Sequence, residues 1–337
     1  MNELEATARA LVAPDKGILA ADESTGSIQK RFEAVAVEST PETRRAYREL
    51  LFTTPGIGES ISGVIMFDET IRQATGDGVP FPRLLVDRGV IPGIKVDAGA
   101  KPLALASGET ITEGLDGLRE RLAEYRDLGA RFTKWRAVIR IGRDIPSNYA
   151  IWTNAHALAR FAALSQEAGL VPIVEPEVLM DGDHTVEQSG HVTSLTLLAV
   201  FTELHDQRVR LEGMLLKPNM VLPGYNAPVQ ASPGEVADAT LACFRRTVPA
   251  AVPGIVFLSG GQSEQRATEN LNAINATQPL PWQISFSYGR ALQAAALTAW
   301  AGKPANVVDA QRAFHRRAKL NAAARAGRYT PEMESVA

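Results

Sequence analysis

Short apolar runs alternate with longer amphipathic stretches along the whole of the 337-residue chain. Each run is continuous and is bounded by glycine, proline or polar residues, which is typical of strands buried on both faces. The runs are Lys16–Ala21, Ser62–Phe67, Gly93–Val96, Phe132–Ile139, Leu170–Glu175, Gly213–Lys217, Ile255–Leu258 and Gln283–Phe286. This pattern predicts eight buried strands.

The stretches between the runs predict helices. Asn148–Ala168 carries apolar residues at i, i+3 and i+4 spacing, which places them on one helical face. Ser232–Val248 begins with an N-cap serine and a first-turn proline, and Glu235 completes a capping box. Met1–Val12 predicts a leading helix, and Asp309–Ala326 predicts a trailing helix with a basic C-terminal end.

Eight strands alternating with helices predict an α/β fold of the (β/α)₈ (TIM) barrel type. We expect one domain over residues 1–337, with barrel strands from about 16 to 290, a leading helix, and a C-terminal helix with a short tail in 305–337. A doubly wound open sheet is the alternative. It is disfavoured because no strand is followed by the G-x-G-x-x-G turn of dinucleotide-binding sheets.

The composition is that of a soluble protein, with 45% hydrophobic residues and a mean hydropathy near zero. A net charge of −3, spread over mixed-sign positions, gives no field to attract nucleic acid or an anionic membrane. No apolar run approaches the roughly 18 residues of a membrane span, and the acidic start lacks a secretory signal. The single cysteine, Cys243, fits a reducing compartment, so a cytoplasmic location is expected.

The five histidines are scattered and predict no metal site. His184 and His191 form the only close pair, in a polar stretch with no thiols nearby. Metal sites need three or four converging ligands, so we expect these two to be surface residues instead.

Residues with catalytic or binding chemistry lie within or directly after seven of the eight runs. They are Asp22, Glu23 and Ser24; Lys95 and Asp97; Lys134 and Arg136; Glu175 and Glu177; Lys217; Ser259, Gly260 and Gly261; and Ser287, Tyr288, Gly289 and Arg290. Active sites of these barrels gather at the C-terminal ends of the strands. Salt bridges closing the barrel end are the alternative interpretation. Function is favoured because burying several charges without a ligand costs several kcal/mol per ion.

Lys217 stands out because only eight of the 35 basic residues are lysines and this one follows the apolar run Met214-Leu215-Leu216. Burial and a nearby cation such as Lys134 favour the neutral amine. A neutral amine is what Schiff-base formation with a carbonyl requires. The alternative is a strand-end lysine whose ammonium extends into solvent.

Two turns predict phosphate binding. Ser259-Gly260-Gly261 lies between a buried strand and a helix that begins near Ser263, where backbone N–H groups and the helix N-terminus favour an anion. The turn after the next strand adds Gly289 and Arg290. Loops after strands seven and eight are the recurrent phosphate site of this barrel.

With these motifs, the chain resembles the class I (Schiff-base) fructose-bisphosphate aldolases over nearly its whole length. The matching segments occur in the family's order: Lys16–Ser27, Gly93–Asp97, Lys134–Arg136, Ile173–Glu177, Leu215–Met220, Phe257–Ser263 and Phe286–Arg290. The resemblance implies reversible cleavage of fructose 1,6-bisphosphate to dihydroxyacetone phosphate and glyceraldehyde 3-phosphate, in glycolysis and gluconeogenesis. It implies small-molecule sugar phosphates as substrates, a homotetramer, no nucleic acid or membrane partner, and no cofactor or metal.

The resemblance also assigns roles residue by residue. Lys217 would form the Schiff base, Asp22 would handle the C4 hydroxyl proton, and Glu175, with Glu177 beside it, would dehydrate the carbinolamine. Lys134 would polarise substrate oxygens, and Arg136 would order the pocket. Ser259, Gly260, Gly261, Gly289 and Arg290 align with the C1-phosphate site, and Ser287 is expected to bind substrate beside them. Ser24, Ser27, Arg31 and Lys95 align with the region that receives the distal phosphate.

One feature departs from the family, whose members extend into a mobile tail ending in tyrosine. This sequence ends Tyr329-Thr-Pro-Glu-Met-Glu-Ser-Val-Ala337, and Tyr329 is expected to lie too early to assist proton transfer. The alternatives are a transaldolase or sugar-acid aldolase, a non-catalytic barrel scaffold, and a metal-dependent aldolase. Two phosphate sites disfavour the first, the retained acid/base residues disfavour the second, and the missing histidine cluster disfavours the third. The order of preference among fructose 1,6-bisphosphate, fructose 1-phosphate and sedoheptulose 1,7-bisphosphate stays open, as does the physiological direction.

Overall fold

Eight parallel strands close into a barrel in a computed structural model that describes residues 2–277 and 279–335. Their order around the barrel is β1-β2-β3-β6-β7-β8-β9-β10, with β10 pairing back to β1. The strands are β1 (Gly17–Ala21), β2 (Ile61–Met66), β3 (Ile91–Lys95), β6 (Phe132–Ile139), β7 (Val171–Val178), β8 (Leu215–Leu216), β9 (Gly254–Phe257) and β10 (Gln283–Tyr288). Closure confirms the (β/α)₈ barrel, and the alternative of an open sheet is wrong.

The predicted strands are all present, with shifted ends. Strand β7 runs three residues beyond the predicted end, because its pairing with β6 continues as far as Val178. Strand β8 is only two residues long, since a 3₁₀ turn (Leu211–Gly213) precedes it and Pro218 has no N–H to continue the ladder. Lys217 nevertheless stays on the sheet, because its N–H donates to the Val174 carbonyl over 2.8 Å.

Thirteen α-helices surround the barrel in the described residues. They are α1 (Glu3–Leu11), α2 (Thr25–Glu33), α3 (Pro41–Phe52), α4 (Ile57–Ser60), α5 (Asp68–Ile71), α6 (Phe81–Asp87), α7 (Leu118–Asp127), α8 (Asn148–Glu167), α9 (Val186–Asp206), α10 (Pro233–Thr247), α11 (Glu264–Ala276), α12 (Arg290–Trp300) and α13 (Val307–Arg325). The four predicted helices are among them as α1, α8, α10 and α13, and Ser232 and Glu235 form the predicted capping box. Met1, the first residue of the predicted leading helix, lies outside the described residues.

One element was not predicted, an antiparallel hairpin of β4 (Ala100–Pro102) and β5 (Thr110–Thr112) between β3 and α7. Each strand has three residues, too few to show a period-two pattern. The buried Glu109 ties the hairpin to the start of α8, because its carboxylate accepts from the Ser147 N–H at 2.7 Å and the Ser147 hydroxyl at 2.6 Å.

The barrel interior divides into an apolar floor and a polar mouth. Phe132 and Ile173 lie in an inner cluster with Leu11 and Val12, from α1 and the residue after it, which close the N-terminal end. The Phe132 ring fills the space where Gly93 would carry a Cβ. Charged side chains such as Lys217 occur only above this floor in the described barrel strands, so the barrel presents its chemistry at the C-terminal end.

The C-terminal segment packs against helices α11 and α13. The Tyr329 side chain is buried, and its hydroxyl donates to Glu334 over 2.9 Å within a tail that ends in a 3₁₀ turn (Pro331–Glu334). Glu334 in turn pairs with Arg317 of α13 at 2.6 Å. Tyr329 is not among the residues that line the barrel mouth, as expected, and the last two residues lie outside the described part. None of the described helices combines the length and apolar character that crossing a membrane requires.

Candidate active site

A cavity of about 1040 Å³ opens at the C-terminal end of the barrel strands. All sixteen residues predicted to form the site line this cavity. They are Asp22, Ser24, Ser27, Arg31, Lys95, Lys134, Arg136, Glu175, Glu177, Lys217, Ser259, Gly260, Gly261, Ser287, Gly289 and Arg290. The structure therefore brings the predicted residues together, although their individual roles remain predictions.

Four side chains form a central cluster at the base of the cavity: Asp22, Lys134, Glu175 and Lys217. Lys134 Nζ lies 2.6 Å from an Asp22 oxygen and 3.1 Å from Glu175 Oε2. The other Glu175 oxygen lies 3.2 Å from Lys217 Nζ. Glu175 thus bridges two lysines that are each only 3% exposed.

The protonation states of this cluster follow from burial and mutual attraction. Burial favours the neutral acids, but Lys134 and Lys217 outweigh it and lower the pKa of both Asp22 and Glu175. Burial likewise favours a neutral Lys134, but the charges of Asp22 and Glu175 outweigh it and raise the pKa of that lysine. The free cluster therefore holds two carboxylates and a charged Lys134 next to Lys217.

Arg136 and Glu177 form an ion pair beside the central cluster. Burial favours a neutral guanidine, but Glu177 outweighs it and raises the pKa of Arg136. Asp97 holds the strand in place, because its carboxylate accepts from the Arg136 backbone N–H at 3.2 Å. Ion pairs of this kind would be present if the charged residues only closed the barrel end with salt bridges. Here they line an open cavity instead of filling it.

One end of the cavity, which we call the β9–β10 end, consists of Ser259, Gly260, Gly261, Ser287, Gly289 and Arg290. Helix α12 begins here at Arg290, and α11 begins at Glu264, three residues after Gly261. The Ser287 hydroxyl is buried, and the N–H groups of Gly260 and Gly261 lie in a loop. None of these three donors has a hydrogen-bond partner in residues 2–277 and 279–335. The end presents free donors that suit an anion.

A second group of lining residues, which we call the α2 end, consists of Ser24, Ser27, Arg31 and Lys95. It adjoins the β9–β10 end, because a Cβ added at Gly289 would lie 3.6 Å from an Arg31 nitrogen. Ser24 precedes the first turn of α2, and its hydroxyl lies 3.1 Å from that of Ser27. Lys95 pairs with Asp97 at 2.7 Å, and Arg31 pairs with the Glu23 carboxylate. The cations of this end are therefore already neutralised by carboxylates of the chain.

The contacts of Glu23 were not predicted from the sequence. Its carboxylate binds both Arg31 and Arg48, and Arg48 is a buried residue of α3. Burial favours the neutral acid, but Arg48 and Arg31 outweigh it and lower the pKa of Glu23. The signal available was an arginine on the apolar face of a helix, between Tyr47 and Leu50, but a single sequence does not say which carboxylate it meets.

The expectation for the close histidine pair is half wrong. His191 is exposed on α9, as predicted, but His184 is only 5% exposed. The loop after β7 is covered by the loop after β8, whose Gly224 N–H donates to the His184 carbonyl over 2.8 Å. Within residues 2–277 and 279–335, no three His, Cys, Asp or Glu side chains are arranged to hold a metal ion.

Comparisons with known proteins agree with one another. A family model for glycolytic class-I fructose-bisphosphate aldolase matches residues 3–337. The chain is 57% identical to a "probable fructose-bisphosphate aldolase class 1" of Xylella fastidiosa, covering 98% of this chain and 99% of that one. It is 56% identical to the cytosolic fructose-bisphosphate aldolase 5 of Arabidopsis thaliana, over 98% and 92% of the two chains. A solved structure of the Plasmodium falciparum aldolase, in complex with TRAP and an inhibitor, superimposes with a TM-score of 0.96 at 50% identity, over 97% and 95% of the chains.

Proposed function

The chain belongs to the class I fructose-bisphosphate aldolases, a family of carbon–carbon lyases, and from this premise we propose its reaction. We propose that it cleaves fructose 1,6-bisphosphate reversibly through a Schiff base on Lys217, as a single-domain enzyme of glycolysis and gluconeogenesis. The observation that carries the proposal is the buried Lys217 amine 3.2 Å from Glu175, in a cavity that the residues of both proposed anion-binding ends also line.

Imine formation needs a group that moves a proton between the amine and the leaving hydroxyl. Glu175 is within reach of Lys217 Nζ and is ionised in the free enzyme. It can accept the proton released when the amine adds to the ketose C2, and return it to the carbinolamine hydroxyl as water leaves. Lys134 holds Glu175 and Asp22 in place and presents a positive charge to substrate oxygens.

Cleavage then follows from the electron demand of the protonated imine. Asp22, a carboxylate in the free enzyme, accepts the proton of the C4 hydroxyl. The C3–C4 bonding electrons move towards the imine, so glyceraldehyde 3-phosphate is released and an enamine of dihydroxyacetone phosphate stays on Lys217. Glu177 and Arg136 form a paired charge beside this centre and order the pocket wall.

The two ends of the cavity support a bisphosphate substrate. We assign the C1 phosphate to the β9–β10 end, which has free hydrogen-bond donors, an exposed arginine and the first residue of α12. We assign the distal phosphate to the α2 end, with Ser24, Ser27, Arg31 and Lys95. A monophosphate substrate of a transaldolase needs one such end only, which favours the aldolase proposal.

Borohydride trapping tests the proposed imine. Reduction in the presence of dihydroxyacetone phosphate should inactivate the enzyme and add the reduced adduct to the peptide that carries Lys217. A Lys217→Met variant serves as the control, and it should acquire no adduct. An adduct on Lys95 or Lys134 in the wild-type enzyme would overturn the assignment.

Metal dependence is tested separately. A Schiff-base mechanism needs no Lewis acid, so full activity is expected in EDTA. Loss of activity in EDTA that zinc restores would contradict the proposed mechanism.

We also propose a cytoplasmic homotetramer. Its support is an apolar surface on two helices that pack together: Tyr149 and Trp152 of α8 and Leu195 and Leu198 of α9 are 40–51% exposed. Large exposed apolar residues on neighbouring elements are typical of protein interfaces. Light scattering coupled to size-exclusion chromatography should give four times the 36.2 kDa chain mass, and a monomer would contradict the proposal.

A further inference from the structure

Tyr225 lies behind the Ser259–Gly261 loop, in the segment that follows β8. Its hydroxyl donates to the Gly260 carbonyl and lies 3.5 Å from the sulfur of Met180. Its own backbone N–H donates to the Met180 carbonyl over 2.9 Å. Tyr225 therefore links the loops that follow β7, β8 and β9.

The direction of the N–H groups in the Ser259–Gly261 loop depends on the hydrogen bonds that its carbonyl groups accept. A peptide unit is planar and trans, so its C=O and its N–H point in opposite directions. The Ser259 carbonyl accepts from Gln262, through the backbone N–H at 3.0 Å and the side-chain amide at 3.1 Å, which directs the Gly260 N–H the other way. By the same geometry, the Tyr225 hydroxyl on the Gly260 carbonyl directs the Gly261 N–H away from Tyr225.

Gly261 is confined between two side chains. A Cβ added there would lie 2.7 Å from the Tyr225 hydroxyl and 3.0 Å from a nitrogen of Arg290, and the backbone has φ +93°. Only glycine fits this position without strain. The tyrosine hydroxyl, the Gly261 N–H and the Arg290 guanidinium therefore occupy one small region.

From this arrangement we propose that Tyr225 is a positioning residue for the C1 phosphate, acting through the peptide that joins Gly260 and Gly261. The proposal rests on the proposed function, because it takes the β9–β10 end as the C1-phosphate site. Burial raises the pKa of Tyr225 to about 12, so the hydroxyl keeps its proton and can donate throughout the physiological range. Without that hydroxyl the Gly260 carbonyl is free to rotate, and the Gly261 N–H is no longer fixed towards the anion.

The test uses the condensation direction, in which the two phosphates enter on separate substrates. Tyr225→Phe should raise the KM for dihydroxyacetone phosphate roughly two- to tenfold, as expected for one neutral hydrogen bond. The KM for glyceraldehyde 3-phosphate and kcat should stay at the wild-type values. The inhibition constant of inorganic phosphate against dihydroxyacetone phosphate should rise by the same factor as its KM. Tyr329→Phe is the matched control and should change none of these values, because it removes a tyrosine hydroxyl that donates to Glu334 and Tyr329 does not line the cavity.

The possible outcomes distinguish a failure of the positioning role of Tyr225 from a failure of the proposed function. An unchanged KM for dihydroxyacetone phosphate in Tyr225→Phe overturns the positioning role. Equal rises in both KM values overturn it too, because they indicate general loosening of the mouth, which a lower melting temperature would accompany. A wild-type enzyme that fails to condense these substrates overturns the proposed function instead.

Discussion

The two ends of the cavity contain similar donors but leave them in opposite states. At the α2 end, Arg31 and Lys95 each pair with a carboxylate of the chain, and Ser24 contacts Ser27. At the β9–β10 end, the exposed Arg290 has no partner among the described residues, and the buried Ser287 hydroxyl has none either. One end is satisfied internally, and the other is not.

This difference indicates how binding free energy is distributed. An unsatisfied buried donor costs about 1–3 kcal/mol in the free protein, so an anion that satisfies it gains the full interaction. An anion at the α2 end must first separate Arg31 from Glu23 or Lys95 from Asp97, and it gains only the difference between two ion pairs. We therefore expect the C1 phosphate to contribute more to affinity than the distal phosphate.

The largest expected effect is at Glu175, which belongs to neither end. The fall in kcat there is the reference for the smaller effects expected at the two ends. Glu175→Gln removes the proposed proton carrier between the two lysines of the central cluster, so kcat should fall about 10²–10⁴-fold. The loss should be the same for fructose 1,6-bisphosphate and fructose 1-phosphate, because Glu175 belongs to neither of the proposed phosphate-binding ends. Steady-state kinetics against the exposed control Glu120→Gln would measure it. A kcat within tenfold of wild type would show that another group carries the proton.

The difference in binding between the β9–β10 end and the α2 end is tested most directly at Arg290. Arg290→Ala removes a charge-assisted phosphate contact worth roughly 1.5–3 kcal/mol, so the KM for dihydroxyacetone phosphate should rise about ten- to a hundredfold. The KM for glyceraldehyde 3-phosphate should not change. Arg83→Ala, at an exposed arginine of α6, is the matched control. If the KM for dihydroxyacetone phosphate stays the same, Arg290 has a structural role and the comparison fails.

Much of this arrangement was predictable, because it depends on local patterns. Apolar runs with polar ends located all eight strands, and the barrel topology then places those ends together. The ends of β7 and β8 were not predicted correctly, because a run such as Leu170–Glu175 does not show where pairing with the neighbouring strand stops. The strands of the β4–β5 hairpin have too few residues to show the alternation of apolar and polar positions that is typical of a strand.

The partners of the charged residues were not predictable. Glu23 follows β1 and pairs with Arg48 of α3, but the distance between them in the chain does not indicate that contact. Tyr225 and His184 lie in loops whose conformations follow from contacts with other loops. A single sequence shows which polar and charged residues follow the strands. Only the three-dimensional structure shows which of these donors are free and which are paired with a carboxylate.

Two serines of β10 refine the comparison at the β9–β10 end. Ser287→Ala removes a buried hydroxyl without a partner, so the KM for dihydroxyacetone phosphate should rise roughly two- to tenfold while the melting temperature stays the same or increases. Ser285→Ala is the matched control, because its hydroxyl donates to the Lys16 carbonyl over 2.7 Å. That variant should lose about 1–3 kcal/mol of stability and keep its KM. The reverse pattern would mean that Ser287 supports the fold and not the ligand.

The smallest effect is expected at Arg31, on the neutralised α2 end. Arg31→Ala removes a cation that must leave Glu23 before it binds phosphate, and the exchange of one ion pair for another is worth about 0.2–1 kcal/mol. The KM for glyceraldehyde 3-phosphate should therefore rise no more than about fivefold, and the KM for fructose 1-phosphate, which lacks a distal phosphate, should not change. Glu23 keeps its pair with Arg48 in this variant, so the melting temperature should fall only slightly. A rise of tenfold or more in the KM for glyceraldehyde 3-phosphate would mean that Arg31 leaves Glu23 at little cost. The two ends would then bind their phosphates equally well, and the asymmetry inferred from their ion pairs would be wrong.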